Sequence, residues 1–153
     1  MTGSPSVITA LKMAQNLEAG LSLQYGLNAS CLSDMGVKKL AKRVDKYSEN
    51  SEEYLEKVTE RVLFLDGDPS FTVADIKAQT SVTDLLQYSL NAEMAIVNLY
   101  ESYIQTCVAA RDDGTRNLFE HLIKWHQKNV DWLEEQLDLI AGLSEEVFIA
   151  QKI

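Results

Sequence analysis

Two glutamates and a histidine stand in this sequence where leucine would be the ordinary choice. Within residues 118–140, Leu118, Leu122, Leu133, Leu137 and Ile140 recur by threes, fours and sevens, give or take one step. That spacing marks one apolar face of a long helix. His126 and Asn129 fall in the middle of that face, one turn apart. Glu18 holds the same mid-stripe position among Leu11, Ala14, Leu21 and Tyr25. Glu93 holds it among Val82, Leu86, Ser89, Ile96, Tyr100, Tyr103 and Cys107. A fourth stripe, Leu40, Val44, Tyr47, Ser51, Tyr54, Val58, Val62 and Leu65, carries Ser51 and Tyr54 at its centre. A polar group left unpaired in a core costs on the order of 1–3 kcal/mol, so these side chains must find one another. Two carboxylates and an imidazole suit one divalent ion such as zinc or ferrous iron. They also suit an imidazolium held between two carboxylates, with Ser51, Tyr54 and Asn129 completing a hydrogen-bond network. The residues leave both readings open.

Four helices must bring these groups together. Pro5 after Ser4 suits a helix start, and the first helix reads from Val7 to about Leu32. Asp34-Met35-Gly36 is a turn short enough to send the second helix, about Val37 to Leu65, back antiparallel. Sliding its register to aim Glu52 inward would expose Tyr47, Tyr54 and Val58, so Glu49, Glu52, Glu53 and Glu56 are placed off the buried face. Residues 66–81 break the pattern with Gly67 and Pro69. Extended, they reach roughly 50 Å, whereas residues 37–65 as a helix measure about 43 Å. The connector can therefore return along the whole bundle and set the third helix, about Val82 to Ala110, parallel to the second. Gly114 is read as closing that helix and Gly142 as stopping the fourth, with a short fifth helix after a Ser144 cap. The expected architecture is an all-α four-helix bundle with a long crossover between helices two and three, plus a short C-terminal helix, in a single domain spanning 1–153.

Bulk properties narrow the function classes. The chain has 153 residues, enough to bury a sizeable core. Its net charge of −9 argues against nucleic-acid binding, which wants a basic stripe, and suits a surface or enclosed interior that attracts cations. No apolar run approaches 20 residues, so no membrane span is expected. The opening MTGSPS lacks the pattern of a signal peptide, which points to the cytoplasm. Cys31 and Cys107 form no disulfide framework or zinc cluster and read as small buried hydrophobes. No internal repeat is apparent.

Several segments carry a resemblance. Gln24-Tyr25, Gly36 in the first turn, ERVLFLDGDP at 60–69, DWLEEQLDLI at 131–140 and the short tail helix resemble bacterioferritin, over nearly the full chain. The resemblance implies a ferritin-like bundle in a 24-subunit hollow shell that stores iron as a ferric mineral, with a di-iron oxidation centre in each subunit. Its ligand pattern is one Glu from each of two helices and Glu-x-x-His from each of the other two. Glu18 and Glu93 match the lone glutamates. Helix two reads Ser51-x-x-Tyr54 instead, and helix four reads His126-x-x-Asn129. The spacing persists while the residue types have changed, and the carboxylates that would bridge two irons are missing. The implied function is an iron-storage subunit with a degenerate centre in a homo- or hetero-oligomeric shell. Iron oxidation would fall to a ferroxidase-competent bacterioferritin subunit or to the mineral surface. One alternative is a mononuclear metal at Glu18, Glu93 and His126 that retains oxidase activity. Another is a cage component with no iron role. The family's haem methionine is Glu52 here, which cannot replace a thioether ligand, so haem is not expected. Tyr25 and Trp132 resemble residues near the family's metal centre but read as core aromatics. His121 lies on a different face and is read as solvated.

Overall fold

The computed structural model describes residues 2–153 and contains five helices: α1 (Pro5–Asp34), α2 (Lys38–Phe64), α3 (Val82–Ala109), α4 (Asp113–Leu143) and α5 (Glu145–Gln151). Among the described residues no strand forms, and no helix is long and apolar enough to cross a membrane. The bounds of α1, α2 and α3 lie within two residues of those the sequence suggests, whereas α4 extends past both of its expected glycine limits.

Helices α1 and α2 form one antiparallel pair, joined through Met35 and Gly36. The amide of Met35 donates to Cys31 O, and Gly36 takes φ 84°, where a side chain would be strained. Ser22 and Ser48 bond reciprocally across this pair, each hydroxyl donating to the other's carbonyl. Helices α3 and α4 form the second antiparallel pair. Leaving α2, the chain runs as an irregular segment along α1. Gly67 packs against Val62 and Ile8, the Thr72 amide donates to Asn16 Oδ1 at 2.7 Å, and the Gln24 amide donates to Lys77 O at 2.8 Å. Contacts at residues 8, 16 and 24 climb α1 as the segment advances. The crossover therefore traverses the bundle, and α3 runs parallel to α2.

The stripes of α1, α2 and α3 are buried as their spacing demands, except that Tyr103 is only partly buried. On α4 the buried face is turned by about one step from the leucine stripe. Thr115, Phe119, Leu122, His126, Asn129, Leu133 and Gln136 point inward, while Leu118, Leu137 and Ile140 sit at its margin. Glycine is not the stop residue at either end of α4. Gly114 lies in its first turn, where a Cβ would stand 2.5 Å from the Arg61 guanidinium. Its bareness lets Arg61 reach Asp112 and Thr115, at 3.0 and 2.9 Å. Helix α3 ends instead at Arg111, with φ 55°. Gly142 stays helical, and α4 breaks at Ser144 (φ 127°), whose hydroxyl caps α5 by accepting from the Val147 amide. Helix α5 closes the end of the bundle with buried Phe148 and with Glu145, which accepts two hydrogen bonds from Thr83. Cys107 is buried as expected, but Cys31 is only half-buried.

Candidate functional site: a buried carboxylate–histidine network

Glu18, Glu93 and His126 meet at the centre of the bundle, each fully buried. The antiparallel register of α1 with α3 sets Glu18 and Glu93 on opposite sides of the core, and α4 inserts the His126 ring between them. His126 Nε2 lies 2.7 Å from Glu18 Oε2, and Nδ1 lies 2.6 Å from Glu93 Oε2. Each ring nitrogen faces a carboxylate oxygen, and a ring that donates from both nitrogens is an imidazolium. Burial alone pushes His126 toward the neutral form. The charges of Glu18 and Glu93, and their hydrogen bonds, override it and raise its pKa from 6.5 to about 10.

Three further donors complete the network. Tyr25 donates to Glu93 Oε1 at 2.6 Å, Asn129 Nδ2 donates to the same oxygen at 2.9 Å, and Tyr100 donates to Glu18 Oε2 at 2.7 Å. Burial, and then the neighbouring carboxylate, hold both phenols well above their usual range, so they remain donors. The structure thus joins Glu18, Glu93, His126 and Asn129 by hydrogen bonds. It does not join Ser51 and Tyr54 to that bonding pattern. Ser51 Oγ is buried without a partner within the protein. Tyr54 contributes its ring, edge-on to His126 at 5.4 Å and stacked on Trp125 at 4.9 Å.

The sequence reading also undervalued two tyrosines. Tyr25, read as a core aromatic, and Tyr100, read as part of a stripe, both bind carboxylate. A signal existed: Glu18 and Tyr25 are seven residues apart, as are Glu93 and Tyr100. In an antiparallel pair that spacing lets each glutamate face the other helix's tyrosine. Trp132 is partly buried and packs edge-on against Tyr47, with the Arg43 guanidinium over its ring. His121 is exposed, with Nδ1 2.8 Å from the Asn117 carbonyl. Glu49, Glu52, Glu53 and Glu56 are exposed, in keeping with the chosen register.

With two carboxylates, one imidazolium and three neutral donors, the arrangement offsets one of the two negative charges and ties α1, α3 and α4 together around one point. Both imidazole nitrogens are spent on hydrogen bonds. A metal shared between His126 and either glutamate needs each donor atom about 2.0–2.2 Å from it, with the ring nitrogen deprotonated. Among the described residues, no group of three or more His, Cys, Asp or Glu is arranged to hold a metal ion.

The fold and sequence have known relatives. Residues 8–143 match the ferritin-like domain. The chain is 32% identical over 147 residues to a bacterioferritin of Brucella melitensis, covering 95% of this chain and 91% of that protein. It is 30% identical over 154 residues to a bacterioferritin of Streptomyces coelicolor, covering 92% of it. The solved bacterioferritin BfrA of Mycobacterium tuberculosis superposes with a TM-score of 0.97 at 26% identity, over 100% of this chain and 97% of that one. With a crossover bundle, a carboxylate pair at its centre and relatives of matching length, this chain belongs to the bacterioferritin family of ferritin-like proteins.

Proposed function

We propose that this chain is an iron-storage subunit of a 24-subunit cytoplasmic shell whose own oxidation centre is degenerate. The observation that carries the reading is the His126 ring, seated 2.6 and 2.7 Å from the two carboxylates otherwise available to a metal. A di-iron pair needs shared carboxylate oxygens to hold two cations close and offset their repulsion. Glu18 and Glu93 instead spend their charge on a cation the chain supplies itself. Ser51 and Tyr54 bring no carboxylate or imidazole from α2. On this reading, iron reaches the ferric state at the mineral surface or in a co-assembled subunit that keeps the full ligand set. Haem has no ligand at Glu52, an exposed carboxylate where a soft thioether is needed.

The test uses the assembled protein from its own cells. Native mass spectrometry should report a 24-subunit shell, with or without a second subunit type, and no stoichiometric metal in this chain. Ferrous iron added to a shell made of this chain alone should be oxidised without a rapid phase equivalent to two irons per chain. A ferric core should still accumulate once mineral or a competent partner subunit is present. One metal per chain with iron-dependent oxygen consumption would favour a mononuclear site at Glu18, Glu93 and His126. A shell that never accumulates iron would favour a purely structural role.

A further inference from the structure

Four buried side-chain atoms lack a protein partner, Gln15 Oε1, Glu18 Oε1, Ser51 Oγ and Gln136 Oε1, and Glu18 and Ser51 are the two that belong to the central constellation. Glu93 receives three donors distributed over both oxygens. Glu18 receives two, His126 and Tyr100, both on Oε2, and Oε1 is buried with no donor from the protein. Ser51 Oγ is also buried and unpartnered. Both residues lie between two hydrogen-bonded bridges of the α1–α2 pair. Gln15 bonds Thr59 on one side of them, and Ser22 bonds Ser48 on the other. Tyr54, one turn beyond Ser51, holds its ring 5.4 Å from the imidazole that binds Glu18. A buried carboxylate oxygen without a donor is among the more costly defects a core can carry. Ser51 is a short side chain between Tyr47 and Tyr54 and does not reach that oxygen itself.

We infer that one ordered water molecule is bound between Glu18 Oε1 and Ser51 Oγ, donating to the carboxylate and sharing a hydrogen bond with the hydroxyl. Water can donate and accept at once, and a site lined by a carboxylate and a hydroxyl is polar enough to retain it. A hard cation is a poorer occupant. It takes six or more oxygens, and the protein offers it a single unengaged carboxylate oxygen and one hydroxyl. The water site extends the reading of the centre as a hydrogen-bonded network, because it supplies that network's missing donor.

A crystal structure of the assembled protein near 1.8 Å resolution tests this. The expected result is a single peak about 2.6–3.2 Å from both Glu18 Oε1 and Ser51 Oγ, with no anomalous signal. In Ser51→Asn the amide should reach Glu18 Oε1 directly and the peak should disappear. A direct Ser51–Glu18 hydrogen bond, no peak in the native protein, or a peak that persists unchanged in Ser51→Asn would each overturn the water site alone. An anomalous peak about 2.0–2.2 Å from Glu18 would overturn both the water and the degenerate-centre reading.

Discussion

The two sides of the buried network are built differently. On the α3–α4 side, Glu93 has both oxygens engaged, and α4 supplies two of its three donors, from His126 and Asn129. On the α1–α2 side, Glu18 has one oxygen engaged, and α2 supplies it with no donor. Ser51 is unpartnered there, and Tyr54 contributes only its ring. Helices α2 and α4 present polar residues at the same i, i+3 spacing, yet one carries charge compensation and the other carries packing. Position alone therefore does not assign a role; the donor count at each carboxylate does.

The sharpest way to break the comparison is to remove the cation. His126→Leu leaves two buried carboxylates with no positive charge between them. It should cost about 3–5 kcal/mol in urea unfolding, or give no folded protein. A milder route to the same end is alkaline pH. The His126 pKa is raised from 6.5 unfolded to about 10 folded, so its stabilisation is complete below 6.5 and declines as pH rises toward 10. Tyr25 and Tyr100 stay protonated throughout that window. The native protein should lose more Tm between pH 7 and 10 than His126→Gln, which has no group to titrate there. Equal slopes would refute the imidazolium.

Neutralising one carboxylate at a time separates the two sides. Glu93→Gln turns one of three charge-assisted acceptor contacts into a donor–donor clash and should cost about 2–3 kcal/mol. Glu18→Gln should cost less, about 1 kcal/mol, because its new amide can point along the Oε1 direction, where no protein donor stands. A larger loss for Glu18→Gln would reverse the proposed asymmetry.

Most of the fold was legible in the sequence, because helix periodicity and the length of residues 66–81 are set by local geometry. Burial of Glu18 and Glu93 followed from their place in three- and four-residue stripes. What misled the reading was whatever depends on a neighbour. The leucines of α4 suggested a face about one step away from the buried one, since Phe119 turns inward to pack against Tyr100. Gly114 reads as a helix stop, but its bareness serves Arg61, a residue far away in the chain. Choosing between a metal and an imidazolium was beyond the sequence, because both use the same three side chains. Both ring nitrogens lie within hydrogen-bond distance of a carboxylate, which supports the imidazolium reading.

The tyrosines give the finest test. Tyr25→Phe and Tyr100→Phe each remove one hydroxyl donor from a buried carboxylate and should cost about 1–2 kcal/mol. Tyr25→Phe should fall at the lower end, because Asn129 still serves the same Glu93 oxygen. Tyr54 lies as near the imidazole, with its ring 5.4 Å away against 5.8 Å for Tyr100, so proximity alone would rank it at least equal. Its hydroxyl, however, takes no part in the bonds to Glu18 or Glu93. Tyr54→Phe keeps the Trp125 stack and the edge contact with His126, and should change stability by less than about 0.5 kcal/mol. A cost near that of Tyr100→Phe would mean that α2 does supply a donor, and the contrast between the two sides of the core would no longer stand.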